Sequence, residues 1–332
     1  MPGAGRGDGG GRLATYVVRR VLQSIPILLG ITVLTFLLAK AMPGDPFTML
    51  LNPGITEADL ERLRGIAGLK APLHVQYWRW LVSLLQGNLG MSISFNQPVA
   101  TIIADRLAPT VAIGIGSLLI GLILGVLFGV ISAVRKYTLI DTVFTVGALA
   151  GISAPTFFMG LLAIKYLSIG LGWFPSSNLV TPGLNAPFPY NYLDVAHHLV
   201  LPTMVLGVAS IGSMARYVRS GMLDVLSQDY VRTARAKGLS ERVIVYRHAL
   251  RNALIPVVTL LGLSLPGVVG GAIITEQVFS IPGLGRMSYL AVLRRDYPLI
   301  MATTVLFAVM TVLGNLLADL GYAWVDPRIR YD

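Results

Sequence analysis

Asp229-Tyr230-Val231-Arg232-Thr233-Ala234-Arg235-Ala236-Lys237-Gly238-Leu239 sets small and basic residues side by side on a segment that favours a short helix. Ala234, Ala236 and Gly238 let another surface approach the backbone closely, while Arg235 and Lys237 offer charged donors to carboxylates. Gly238 suits a helix end in the left-handed region. Ser240 suits the cap of a second helix, with Glu241 at its positive end. This is the chemistry of docking, not of bond making. We expect Ala234, Arg235, Ala236, Lys237, Gly238, Leu239 and Ser240 to meet a cytoplasmic protein. The plainer reading is a basic loop that fixes membrane topology or touches anionic lipid, for which a few charges in any pattern would do.

Catalysis has little to work with elsewhere. The chain has no cysteine, which removes disulfides, thiolate metal sites and a cysteine nucleophile. Its 4 histidines, His74, His197, His198 and His248, do not fall in a metal-ligand spacing. No Gly-x-x-x-x-Gly-Lys-Ser/Thr phosphate loop is present, and the dipeptide Gly-Lys does not occur. The net charge of +10 comes from basic residues scattered between apolar runs, which fits the membrane charge rule better than a nucleic-acid surface.

The elements that must position the docking segment are membrane spans. Hydrophobic residues make up 54% of the chain and charged residues 13%. Six apolar stretches approach the roughly 20 residues that a bilayer requires: Val21–Ala39, Val111–Val134, Leu139–Ile164, Leu199–Ala215, Leu254–Ile274 and Leu299–Ala323. The first exceeds the roughly 7–15 residues of a signal-peptide core and reads as a retained span. The basic Arg135–Lys136 turn, set against an outer loop Gly170–His197 without lysine or arginine, places both termini and the 222–250 loop in the cytoplasm.

The expected organisation is a disordered cytoplasmic tail (1–15), a first transmembrane helix (16–42) and an extracytoplasmic segment with short helices (43–106). A five-helix core (107–325) holding the 222–250 loop and a short cytoplasmic tail (326–332) complete it. Within the outer segment, Thr56–Gly68 reads as a helix capped by Thr56. Leu73–Leu85 reads as another, with Val75, Trp78, Leu81, Val82 and Leu85 on one face. Gly121, Gly125 and Gly129 form a smooth helix face for close packing. Pro155, Pro202 and Pro266 fall within spans, where the freed carbonyls must be satisfied by neighbours or water, while Lys165 and Asp319 lie near span ends and can snorkel.

Further motifs are Arg19-Arg20 before the first span, Pro43-Gly44-Asp45-Pro46, Gly87-Asn88-Leu89-Gly90 with Ser92-Ile93-Ser94, and the Tyr230–Pro256 loop. Phe279-Ser280-Ile281-Pro282-Gly283-Leu284-Gly285, Arg295-Asp296-Tyr297-Pro298 and Asp326-Pro327-Arg328 follow. With these, the chain resembles the membrane subunit of an ATP-driven (ABC) importer, specifically the B-type subunit of the dipeptide/oligopeptide/nickel permeases. The resemblance covers nearly the whole chain after the N-terminal tail.

The broader family's Glu-Ala-Ala-x-x-x-Gly loop matches only at Ala234 and Gly238, because Arg232 and Thr233 stand at the glutamate and first alanine. The peptide branch's Thr-Ala-Arg-Ala-Lys-Gly matches in full over Thr233–Gly238. The resemblance implies an all-α type I importer permease with six transmembrane helices, in the cytoplasmic membrane of a prokaryote. The segment Ala234–Ser240 would be a coupling helix docking on an ATPase. It also implies a second homologous permease subunit, two ATPase subunits that bind ATP and magnesium, an extracytoplasmic binding protein and no cofactor or catalytic residue in this chain. Short peptides are the expected cargo, with nickel or its chelates, glutathione and oligosaccharides carried by similar machinery. A secondary carrier or channel is the alternative mechanism; it would call for inverted repeats with paired broken helices and membrane charges, a pattern not seen in these spans.

Overall fold

The computed structural model describes residues 9–42, 57–66, 68, 70–184, 190–270 and 272–325. The expectations for residues 1–8, for Pro43-Gly44-Asp45-Pro46, for the Thr56 cap and for the 326–332 tail lie outside them. Among the described residues every named element is helical, and extended pairing is limited to an isolated bridge between Met91 and Pro98. The chain divides into two compact units, one of residues 1–107 with 287–310, the other of residues 108–286 with 311–332.

In the first unit, α1 runs Gly9–Ala41 and so begins inside the stretch expected to be a tail. Once a helix is nucleated, each added residue gains a hydrogen bond, and Leu13 and Ala14 extend it readily. Two short helices follow, α2 (Glu57–Ile66) and α3 (Leu73–Leu85), the second with its expected bounds. The packed face of α3 is the expected one only in part. Tyr77 and Trp80 turn towards α1 and Leu81, one of the expected residues, is buried, whereas Trp78 and Leu85 are exposed. The Tyr77 and Thr32 hydroxyls share a hydrogen bond of 2.9 Å, and the Phe36 ring lies 5.5 Å from Tyr77 and 6.0 Å from Trp80. One edge-on and one stacked aromatic contact, with one hydroxyl pair, thus select the packed face over raw hydrophobicity.

The same unit contains a clasp. Asp296 is fully buried and accepts hydrogen bonds from the Ser92 hydroxyl (2.5 Å) and the Ser94 amide (3.0 Å). Ser92 and Asp296 both belong to motifs singled out in the sequence, and the contact explains why each needs its polar residue.

In the second unit, α4 (Val99–Val134) enters from the first and turns through Tyr137 (φ 63°) into α5 (Leu139–Ser153). Then come α6 (Thr156–Ala163), continued by a π-turn over Ile164–Gly170, and α7 (Tyr190–Leu226). The Leu139–Ser153 and Thr156–Gly170 helices meet at 104°, broken where Pro155 lacks the amide that would continue the ladder. Pro202, by contrast, sits inside an unbroken α7.

α7 is 37 residues long, far more than the expected Leu199–Ala215, so Arg216 and Arg219 belong to the helix rather than to a loop. The glycine row behaves as expected. A Cβ on Gly121 would lie 2.5 Å from Ser210 Cβ, on Gly125 2.5 Å from Met214 Cβ, and on Gly129 2.7 Å from the Ala215 carbonyl oxygen. α4 therefore lies directly on α7.

The rest of the chain comprises α8 (Asp229–Ala236), α9 (Glu241–Val243), a π-turn over Ile244–Ala249, and α10 (Leu250–Ala253). These lead to α11 (Ile255–Gly270), α12 (Ile273–Val278), α13 (Leu284–Leu293) and α14 (Tyr297–Val325). Among the described residues 4 helices are long and apolar enough to cross a membrane, or 5 if the bent pair counts as one span. α11, with 16 residues, occupies the other expected stretch.

The α4–α7 contact makes a direct prediction. Gly125→Leu should destabilise the fold by about 1–3 kcal/mol or more through overpacking. Gly147→Leu should have little effect on the isolated chain, because a Cβ there meets nothing within 4 Å. Thermal unfolding of the detergent-solubilised variants checks this, and equal melting temperatures would contradict it.

Candidate functional site

The segment expected to dock forms a corner. α8 packs through Val231 and Ala234 on Ile244, in a cluster joined by Leu226. At its end the Gly238 amide donates to the Arg235 carbonyl (2.9 Å) and the Leu239 amide to the Ala234 carbonyl (3.3 Å). Gly238 stands at φ +76°, the left-handed position this paired-bond terminus requires. A Cβ at Gly238 would meet nothing within 4 Å, so glycine is demanded there by backbone conformation and not by crowding.

The second arm is α9 with the π-turn and α10. Ser240 sits at the cap position with extended dihedrals but makes no side-chain capping bond. Glu241 is engaged instead by Arg235, whose Nε and Nη2 lie 2.8 and 3.4 Å from its carboxylate oxygens. The Arg235 guanidinium holds the Glu241 carboxyl below the usual range, and the carboxylate raises the guanidinium in return. This pair braces the corner across its outside. Tyr230 adds a second brace, its hydroxyl accepting from Asn252 Nδ2 at 2.9 Å.

The wide π-turn aims its apolar residues in two directions. Ile244 faces the α8 cluster, while Val245 and Ala249, with Ala253 beyond, pack on Met214, Val218 and Met222 of α7 and on Val130 and Ala133 of α4. The corner is thereby joined to the ends of two long helices.

Of the expected contact residues, Arg235, Ala236, Lys237, Gly238, Leu239 and Ser240 are exposed around the corner. Ala234 departs from expectation. It is 7% exposed and faces Val231 and Ile244, so its small side chain serves the corner's own packing. Arg235 also differs, because its guanidinium is shared with Glu241 rather than wholly open to a partner.

One polar centre escaped the sequence reading. Asp141 of α5 is 4% exposed and is held bidentately by Arg219 of α7, with Nε to Oδ1 at 2.7 Å and Nη2 to Oδ2 at 2.8 Å. The Ser132 hydroxyl of α4 donates to the same carboxylate, and so does the Tyr137 amide at 2.9 Å. The signal was available: a lone acid in an apolar run is a strong flag in a membrane protein.

A second buried carboxylate organises the Phe279–Gly285 motif. Glu276 accepts from the Thr110 hydroxyl (2.6 Å) and the Arg286 amide (2.8 Å), while Thr110 Oγ1 accepts from the Leu284 amide (2.8 Å). A Cβ on Gly283 would lie 2.3 Å from the Glu276 carboxylate carbon, so only glycine fits beneath it.

The family described as binding-protein-dependent transport system inner membrane component matches residues 125–331, and its N-terminal companion matches residues 13–114. The oligopeptide transport system permease protein AppB of Bacillus subtilis is 48% identical over 320 residues, covering 96% of this chain and 100% of AppB. The glutathione transport system permease protein GsiC of Salmonella paratyphi A is 40% identical over 319 residues, covering 96% and 100%. In fold, the chain is similar to the inward-facing methionine ABC transporter MetNI, with a TM-score of 0.51 at 19% identity, covering 68% of this chain and 97% of that one. An amino acid ABC transporter solved with histidines gives 0.50 at 17% identity, covering 68% and 94%. A long-helix membrane core carrying an exposed corner, together with these family matches over most of its length, makes this chain a member of the binding-protein-dependent transport system inner membrane component family, the multi-pass permease subunits of ABC importers.

Proposed function

We propose that the chain is one of two homologous membrane subunits of an ATP-driven importer of short peptides, and that the corner Arg235–Ser240 is its contact with an ATPase subunit. The observation that carries the docking assignment is the corner itself. Six exposed residues are held by a left-handed turn, an ion pair and a private apolar cluster, a rigidity that a mere topology signal has no use for. Two ATPase subunits binding ATP and magnesium supply hydrolysis, and an extracytoplasmic protein delivers the cargo. Both termini and the 222–250 loop are assigned to the cytoplasm, six helices to the membrane, and the 43–106 segment to the outer side. The peptide assignment rests on likeness to the oligopeptide permease AppB. Likeness to GsiC keeps glutathione, itself a tripeptide, as the second reading.

Reconstitution in liposomes separates this function from a self-sufficient carrier. Uptake of a labelled peptide should require the partner ATPases, ATP and the binding protein. Uptake by the permease pair alone, driven by an ion gradient, would overturn the reading.

The corner has its own test. Gly238→Ala should strain the turn by about 1–2 kcal/mol, raising proteolysis or hydrogen exchange there without affecting membrane assembly. Gly238→Trp adds bulk on the docking face and should abolish ATPase co-purification while pairing of the two membrane subunits persists. If the corner only touched lipid, Trp would be tolerated as an interfacial residue and neutralising the basic residues would do the damage.

Sidedness can be mapped in this naturally cysteine-free chain. Ser240→Cys should react with an impermeant thiol reagent only after the cells are opened. Labelling of intact cells from outside would reverse the topology.

A further inference from the structure

We propose that the Asp141–Arg219 ion pair is the tie through which movement of the docking corner reaches the bent α5–α6 span, making both residues positioning residues for coupled transport. The proposal rests on the docking reading of the corner.

Its first support is the number of elements that converge on one carboxylate. Asp141 is held by Ser132 at the end of α4, by the Tyr137 amide in the turn, and by Arg219 of α7; Arg219 Nε also reaches Ser132 Oγ at 3.1 Å. Thr145, one turn further along α5, adds a hydroxyl at 3.3 Å. The N-cap of α5, Thr138, accepts from the Asp141 amide, so the helix start and the ion pair are fixed together. A single anion therefore sets α4, α5 and α7 in register.

The second support is its place between the corner and the bend. Val218 and Met222 flank Arg219 on α7 and belong to the apolar cluster that receives Val245, Ala249 and Ala253 from the corner's second arm. On the other side of the pair, α5 runs to Ser153 and breaks at Pro155 into α6. A displacement of the corner thus acts on α7 and on the Arg219–Asp141 pair before it reaches the break.

The third support is a local lack of packing. Further along, α5 and α7 touch closely, where a Cβ on Gly212 would lie 2.5 Å from the Ala148 carbonyl oxygen and one on Gly151 3.0 Å from Val208. Beside the ion pair the contact opens into a cavity of about 210 Å³ bordered by Phe144, Thr145 and Ala148 of α5 and by Ala215, Arg216 and Ser220 of α7. Apolar contact across a gap yields to sliding, whereas a bidentate guanidinium–carboxylate pair resists both shift and rotation. At this end of α5 the tie to α7 is ionic.

A structural role alone would show as lost stability, so the test reads coupling per assembled complex. The complete importer, with partner subunits and binding protein, is reconstituted with Asp141→Asn, with Arg219→Gln, and with the apolar pair Asp141→Leu/Arg219→Met. Melting temperature, ATPase co-purification and labelled peptide taken up per ATP hydrolysed are measured. The single variants should keep the ATPases and continue to hydrolyse ATP, while uptake per ATP falls tenfold or more. The apolar pair removes the buried charges together and should restore the melting temperature, a common outcome for such replacements, without restoring the ratio. A normal ratio in the apolar pair overturns the proposal. Failure of even that pair to assemble also overturns it, leaving the ion pair a folding element. Failure of the docking reading is a separate result, seen as Gly238→Trp complexes that retain their ATPases.

Discussion

The close approach of α4 to α7 is the constraint on which the second unit depends. Lipid tails are as apolar as leucine, so burying apolar side chains gives two membrane helices little reason to associate. What remains is contact at short range and polar bonding. α4 supplies the short range with Gly121, Gly125 and Gly129, set against Ser210, Met214 and Ala215 of α7. Gly207 and Gly212 do the same from the α7 side, towards Ile120 of α4 and Ala148 of α5. Every other member of the unit that matters to the corner is referred to α7. α5 reaches it through Gly151, Gly212 and Arg219, and the corner through Met214, Val218 and Met222.

Three carboxylates buried among the described residues supply the polar bonding. Asp141, Glu276 and Asp296 are each almost fully enclosed, and each accepts hydrogen bonds from hydroxyls or main-chain amides. Unpartnered they would be prohibitive in such surroundings. Paired, they fix what apolar packing leaves free: the start of α5, the start of α13, and the register between the Ser92 loop and the start of α14. Two of the three lie in or beside motifs quoted for the family resemblance, so those motifs encode structural clasps as well as surface.

The sequence made the helices legible because length and apolarity decide them, and it made the glycine row legible because small residues at a four-residue spacing have one main use in a membrane helix. Gly238 was legible for an equally local reason, since a left-handed helix end follows from backbone sterics alone. The α3 face was legible only in part. Near a bilayer the exposed side of a helix can be as apolar as the packed side, so Trp78 and Leu85 read like core although they face outward. α7 extends beyond the apolar stretch Leu199–Ala215, which stops where Arg216, Arg219 and Asp224 lower the apolarity of its end, while the bond that satisfies Arg219 comes from a residue 78 positions away. Ala234 shows the same difficulty in the site. Smallness permits a partner's approach or the chain's own close packing, and only the position of Ile244 decides between them.

Under the proposed docking function, the corner's makeup also limits what it can contribute to transport. Moving a two-state bundle from one part in a hundred to ninety-nine requires about 5.5 kcal/mol of differential binding. An exposed ion pair such as Arg235–Glu241 contributes at most about 1 kcal/mol, and a left-handed glycine stores almost no strain. In the proposed importer the driving energy would therefore come from the nucleotide and the loaded binding protein, each favouring one state. What the corner needs is stiffness, so that a partner's movement is neither absorbed in α8 nor lost at the junction with α7. Its construction suits that requirement. Val231, Ala234 and Ile244 close one side, Arg235 and Glu241 brace the other, and Tyr230 with Asn252 ties the two arms. Under that proposal a softer corner would bind the same partner and transmit less of its motion, so rigidity, more than affinity, would be the property these residues supply.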